Sequence, residues 1–157
     1  MYPEVKKWLL NLLSQRAKGA KVSTHDTSHV VLSKFLFDNR LHTHFPNYQT
    51  YEIQVDVTGV AVSRFGVELA FVECKLTPIS LKDVSQLLGY SKVANPATSV
   101  IVSPQGISDS INLLFNQFQR YDVLEYGPQK RMVQIATWVQ TRKDMDHSTI
   151  IPKGSSI

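Results

Sequence analysis

Asp56 and, on the following run of β-forming residues, Glu73-Cys74-Lys75 can bring two carboxylates and one lysine together. Val55–Val62 and Val67–Leu76 are rich in β-branched residues and are expected as strands, with Ser63-Arg64-Phe65-Gly66 turning between them. In an antiparallel hairpin closed by that turn, Asp56 stands opposite Glu73 with the side chains roughly 5 Å apart. Glu73 and Lys75 then share one face, and Cys74 points to the other as a small core residue.

Facing acids destabilise a strand pair, and neither suits an otherwise apolar strand. A divalent cation removes both objections. Mg²⁺ prefers carboxylate and carbonyl oxygens, keeps several waters and is commonly completed by substrate phosphate. Asp56, Glu73 and the backbone carbonyl of Cys74 are the expected ligands. Lys75 has no acceptor, so its ammonium is expected to hold an attacking water or a phosphate oxygen. The chemistry implied is phosphodiester hydrolysis by a water acidified on the metal. Taken alone, the same residues also describe solvated charges on the open face of a strand.

Ser80–Val93 is expected as a helix capped by Ser80, with Leu81, Val84 and Leu88 on an apolar face and Lys82, Gln86 and Tyr90 opposite. Following directly on the Glu-x-Lys strand, that helix can present Gln86 and Tyr90 to the same site. Lys82 shares their face and is the expected phosphate contact.

The series Asp56, Glu73-Cys74-Lys75, Gln86-Leu87-Leu88-Gly89-Tyr90 resembles the PD-(D/E)XK nuclease superfamily, particularly members with a RecB-type Q-x-x-x-Y helix motif. The similarity covers Glu52 to Tyr90 and departs from the name motif at Val55, where that motif has proline. It implies an α/β, restriction-endonuclease-like fold, a mixed central β-sheet flanked by helices. It also implies Mg²⁺ or Mn²⁺ dependence and cleavage of DNA, with RNA as the lesser alternative. Asp56 and Glu73 carry over as metal ligands, Lys75 as the catalytic lysine, and Gln86 and Tyr90 as active-site or nucleic-acid contacts. Many members place a further acid on the first helix, and by position Glu4 is the candidate. An acid in a first turn also simply complements the helix dipole.

The elements needed to position these residues are legible. Tyr2–Leu13 has Val5, Trp8, Leu9, Leu12 and Leu13 at helical spacing, with Pro3 suited to a first turn. The first strand is expected between Lys21 and Phe37, through Val30-Val31-Leu32 and Phe35-Leu36-Phe37. Thr98–Ser103 reads as a buried strand and Ser108–Tyr121 as a helix with Ile111, Leu114, Phe115 and Phe118 inward. Val123–Tyr126 and Met132–Val139 read as strands about a turn at Gly127-Pro128. Residues 1–141 are thus expected as one domain of helix, strands, helix, strand, helix and strands. Residues 142–157 are expected as a mobile C-terminal tail.

A chain of 157 residues with 43% hydrophobic content suffices for one cored domain. The formal charge of +4 and a pI near 9.2 suit a polyanionic partner. Arg16, Lys18 and Lys21 cluster behind the first helix, and Tyr48, Tyr51 and Phe65 are the aromatics that could stack on bases. A single cysteine excludes an intramolecular disulfide and a cysteine-only metal cluster, which favours a cytoplasmic setting. No signal peptide, membrane span or ATP-binding phosphate loop is visible. His25 with His29, and His42 with His44, have spacings open to a transition metal but lack a third ligand at a supporting spacing. Two further readings stay open: a non-catalytic nucleic-acid-binding module, and a protein-interaction subunit of a repair or defence complex. A homodimer would be required to cut both strands together.

Overall fold

The hairpin expected around Arg64-Phe65 forms with the expected register: Val57 pairs with Val72, and Ser63 with Gly66. The computed structural model describes all residues, Met1–Ile157. Along the chain run α1 (Tyr2–Arg16), β1 (Lys21–Asp26), α2 (Leu32–Asp38), β2 (Val57–Ser63), β3 (Gly66–Cys74), α3 (Leu81–Ala94) and β4 (Thr98–Ser103). They are followed by α4 (Asp109–Asn112), β5 (Glu125–Tyr126), β6 (Arg131–Met132), β7 (Gln134–Val139) and β8 (Asp144–Ile151).

One six-stranded mixed sheet takes the order β1-β2-β3-β4-β7-β8, with β3-β4 and β4-β7 parallel and the other pairs antiparallel. Strand alternation gives the sheet two apolar faces. Val57, Ala70, Val72, Val100 and Val102 pack beneath α1, which contributes Val5, Leu9 and Leu13. Leu69, Phe71, Ile101 and Ile135 pack beneath α2, α3 and the segment after β4. Leu9 is fully buried, a contribution of about 1.5–3 kcal/mol. The architecture is therefore α/β, a mixed sheet with helices on both faces. No helix is long and apolar enough to cross a membrane.

Four expectations are corrected. Residues 30–37 are not a strand: Leu32, Phe35 and Leu36 are buried at spacings of three and four, a helical stripe, and form α2. The first strand is instead Lys21–Asp26. The helix after β4 is α-helical only over Asp109–Asn112 and widens to a π-helix over Leu113–Gln117. That wider turn rotates the stripe, so Phe115 is buried while Phe118 is 66% exposed. In α3 the buried positions are Val84, Leu87, Ser91 and Ala94, and Leu81 at its first turn faces solvent. Finally, residues 142–157 carry β8, which pairs with β7 and buries Met145, Ile150 and Ile151. These apolar residues close the sheet, where a solvated tail would have exposed them.

The α1 face has no spare room at Gly59, where a Cβ would lie 2.6 Å from Leu13 Cδ1 and 3.2 Å from Ala70 Cβ. Gly59→Val should therefore destabilise the protein by about 1–3 kcal/mol despite the better strand propensity of valine. Urea denaturation of the two proteins measures this, and equal midpoints would contradict the packing described.

Candidate functional site

Glu73 is the penultimate residue of β3, and its side chain lies on the α3 side of the sheet, opposite Cys74, which packs under α1. Asp56 lies one residue before β2, where the hairpin register carries it alongside Glu73. Its carboxylate replaces the strand partner that β3 would otherwise lack: Cys74 N–H donates to Asp56 Oδ2 at 2.7 Å. Tyr2, at the start of α1, donates its hydroxyl to Asp56 Oδ1 at 2.8 Å. Each Asp56 oxygen retains a further lone pair.

The backbone at Asp56 is pinned from β1. Thr27 N–H donates to Asp56 O at 2.9 Å, and the Thr27 hydroxyl donates to Val55 O at 2.7 Å. Thr27 is 1% exposed and its hydroxyl also meets that of Thr58 at 2.8 Å. On the other side, Lys75 N–H donates to Val102 O at 2.8 Å, prolonging the β3–β4 ladder by one residue. The loop that follows is held by Ser103 Oγ donating to Thr77 O and Gln105 Nε2 donating to Leu76 O. Helix α3 is fastened above by Ser91 against Ser99, at 2.7 Å between two buried hydroxyls.

Charge converges on Lys75. Its Nζ is 2.9 Å from Glu73 Oε1 and 3.5 Å from Asp83 Oδ1. Asp83 also closes a capping box with Ser80, fixing where α3 begins. The Glu73 carboxylate is 7% exposed, and its Oε2 is buried without a hydrogen-bond partner. Burial pushes the Glu73 pKa up and the Asp56 charge adds to that, while Lys75 and, more weakly, the nearby Asp56 backbone N–H oppose both without cancelling them. Burial works against the Lys75 ammonium, but the bond to Glu73 and the charges of Glu73 and Asp83 outweigh it and hold its pKa above the ordinary lysine value. The two partners thus shift in the same direction. Glu73 is the more buried of the pair and faces Asp56, whereas Lys75 answers to two acids. Burial, and then the charges of Asp56 and Glu73, push the Cys74 thiol up as well, so it is no nucleophile.

Asp56, Glu73 and Lys75 are therefore brought together, and Cys74 presents its backbone to the same point. Gln86 and Tyr90 join each other, with Gln86 Nε2 donating to the Tyr90 hydroxyl at 3.1 Å. Asp83, Gln86 and Tyr90 follow at spacings of three and four and make one row along α3. Lys82 is exposed beside that row. Glu4 is not part of the centre. It pairs with the chain's amino group at 3.3 Å and lines a separate cleft of about 720 Å³ with Arg142 and Lys143. No three His, Cys, Asp or Glu side chains converge anywhere, so the pair Asp56–Glu73 gains no third acid from Glu4. The helix-borne group at the centre is Tyr2.

Tyr2, Thr27 and Asp83 escaped sequence reasoning. Asp83 had a signal, because Ser80-x-x-Asp83 is a cap pattern directly after the Glu-x-Lys strand. Tyr2 had none, lying 54 residues from its partner. Two of the histidines pack on aromatic rings: His25 lies 4.9 Å from the Phe35 ring, and His42 sits between Phe37 and Tyr48.

The donor set suits a hard divalent cation. Glu73 and Asp83 face the Lys75 ammonium, and a buried Glu73 carboxylate oxygen beside Asp56 lacks a partner. An apolar groove of about 330 Å³ formed by Met1, Tyr2, Pro3, Cys74 and Leu76 opens beside it.

Because the folded protein holds the Glu73 proton more tightly than the unfolded chain does, stability is lost as pH rises through the raised pKa. In EDTA, Glu73→Gln should therefore gain stability relative to the wild type between pH 4 and pH 7. Denaturation curves at the two pH values measure this, and a constant difference would contradict the buried state of Glu73. Comparisons of the chain with protein-family models, curated proteins and solved structures gave no match.

Proposed function

We propose that the protein is a metal-dependent nuclease of the PD-(D/E)XK type, on a restriction-endonuclease-like version of the α/β fold, with DNA as its substrate. The single observation that carries this reading is the unpartnered, buried Oε2 of Glu73 beside Asp56. A half-satisfied buried carboxylate next to a second acid is unfavourable for folding alone, and such groups concentrate where a ligand completes them.

Asp56 and Glu73, with the Cys74 carbonyl, would hold Mg²⁺ or Mn²⁺. When bound, the ion would supply charge neutralisation for the phosphate and a water acidic enough to attack near neutral pH. Lys75 keeps its proton, so its role is that of a fixed positive charge beside the reacting phosphate. Its hydrogen bond to Glu73 and its ion pair with Asp83 place that charge, leaving N–H donor capacity for water or phosphate. Gln86 and Tyr90 orient one another on the helix and offer an amide and a phenol to the substrate. Tyr2 holds Asp56 in orientation through Oδ1.

Labelled single-stranded, duplex and branched DNA incubated in Mg²⁺, Mn²⁺ or EDTA tests the proposal. Cleavage should require the metal and fall by about 10²–10³-fold in Lys75→Ala, as for removal of a fixed electrostatic contact. It should be abolished in Asp56→Asn and Glu73→Gln, with circular dichroism unchanged, and reduced less in Gln86→Ala. Wild-type rates in any of the first three variants would overturn the assignment.

A further inference from the structure

At the other end of the β2–β3 hairpin, its turn and the last residues of α1 enclose a second concavity of about 720 Å³. Arg16, Lys18 and Arg64 bring three cations to it from two stretches of chain, against the single acid Glu68. At its rim Phe65 is 85% exposed. The Arg64 guanidinium lies 4.7 Å from the centre of the Phe65 ring, a cation–π contact on one face. Phe65 N–H donates to Ser63 Oγ at 3.1 Å, which fixes the turn that carries the ring. Of the three aromatics singled out in the sequence as base-stacking candidates, Tyr51 is buried and Tyr48 packs on His42, leaving Phe65.

Folding gives no account of this ring. A residue so exposed contributes little apolar burial, and tight turns favour glycine, asparagine or aspartate over phenylalanine. An open aromatic face amid clustered cations is, in contrast, the recurring means by which proteins hold single strands: bases stack and phosphates are neutralised. We propose that the hairpin tip is a single-strand nucleic-acid contact, with a base on the open face of Phe65 and adjoining phosphates on Arg16, Lys18 and Arg64. The inference rests on the nuclease reading in one respect, that it makes the tip a second contact for the strand engaged at Glu73. Glu73 lies seven steps along β3 from Gly66, roughly 23 Å at about 3.3 Å per residue.

The test is fluorescence anisotropy of a labelled 16-nucleotide oligo-dT in EDTA. Phe65→Ala should weaken binding roughly 5- to 100-fold, the range for loss of one base–aromatic stack, and Phe65→Trp should restore it. The double variant Lys18→Ser/Arg64→Ser should reduce the dependence of log affinity on log salt by about 1.4, at about 0.7 per phosphate contact. Phe65 lies outside the core, so equal melting temperatures separate a lost contact from a lost fold. Affinity for Phe65→Ala within twofold of wild type would overturn the proposal, as would absence of wild-type binding or a preference for duplex that ignores Phe65. Binding is read without metal and cleavage with it, so an active centre with an inert tip and a binding tip with a dead centre are distinct results.

Discussion

Placing the Glu73 carboxylate inside the end of the sheet is the constraint around which the neighbouring structure is arranged. Removing a carboxylate from water costs several kcal/mol unless partners replace the solvent. Here Lys75 supplies one partner at 2.9 Å, while Oε2 has none and Asp56 adds a second negative charge. Lys75 can reach back to Glu73 because the two residues share a face, and it is steadied by Asp83 from α3. The capping box at Ser80 thus does more than start a helix. It brings the acid that anchors the lysine into register with the end of β3.

The same constraint explains why the surroundings are so firmly tied. Asp56 is held through both oxygens and through its backbone, by Tyr2 of α1, Cys74 of β3 and Thr27 just after β1. The loop after Lys75 is fastened to the end of β4 by Ser103 and Gln105. Parallel strands β3 and β4 end together here, with the first turn of α3 beside them. Open α/β sheets commonly present ligand sites at such carboxyl ends. At the opposite end of the hairpin nothing is buried in this way, and the turn is free to carry Arg64 and Phe65 outward.

The parts of this arrangement that a sequence can express as spacing were legible in it. The hairpin register followed from two β-branched runs and a short turn, and it placed Asp56 beside Glu73. The helix with Ser80 at its head followed from cap and periodicity. Residues 30–37 mislead because Val30, Val31 and Phe37 suggest a strand, while the burial of Leu32, Phe35 and Leu36 obeys the helical period. β8 was missed because Met145 and Ile150-Ile151 are separated by polar residues that lie at the open edge of the sheet. Tyr2 and Thr27 could not be found at all, since their contacts with 55 and 56 arise only when α1 and β1 close over the hairpin. Place in the helix points to Glu4, but in the folded chain Tyr2 reaches the centre and Glu4 pairs with the chain's amino group.

On the nuclease reading, Asp56 and Glu73 together form a seat for a divalent ion. Its most direct test is a crystal of the wild-type protein soaked in Mn²⁺ and measured at the manganese absorption edge. An anomalous peak between the Asp56 carboxylate and Glu73 Oε2, absent from crystals of Glu73→Gln, is expected. Fully ordered carboxylates with no peak between them, at Mn²⁺ concentrations that load other sites, would contradict it and leave the Glu73–Lys75 pair as a buried structural contact.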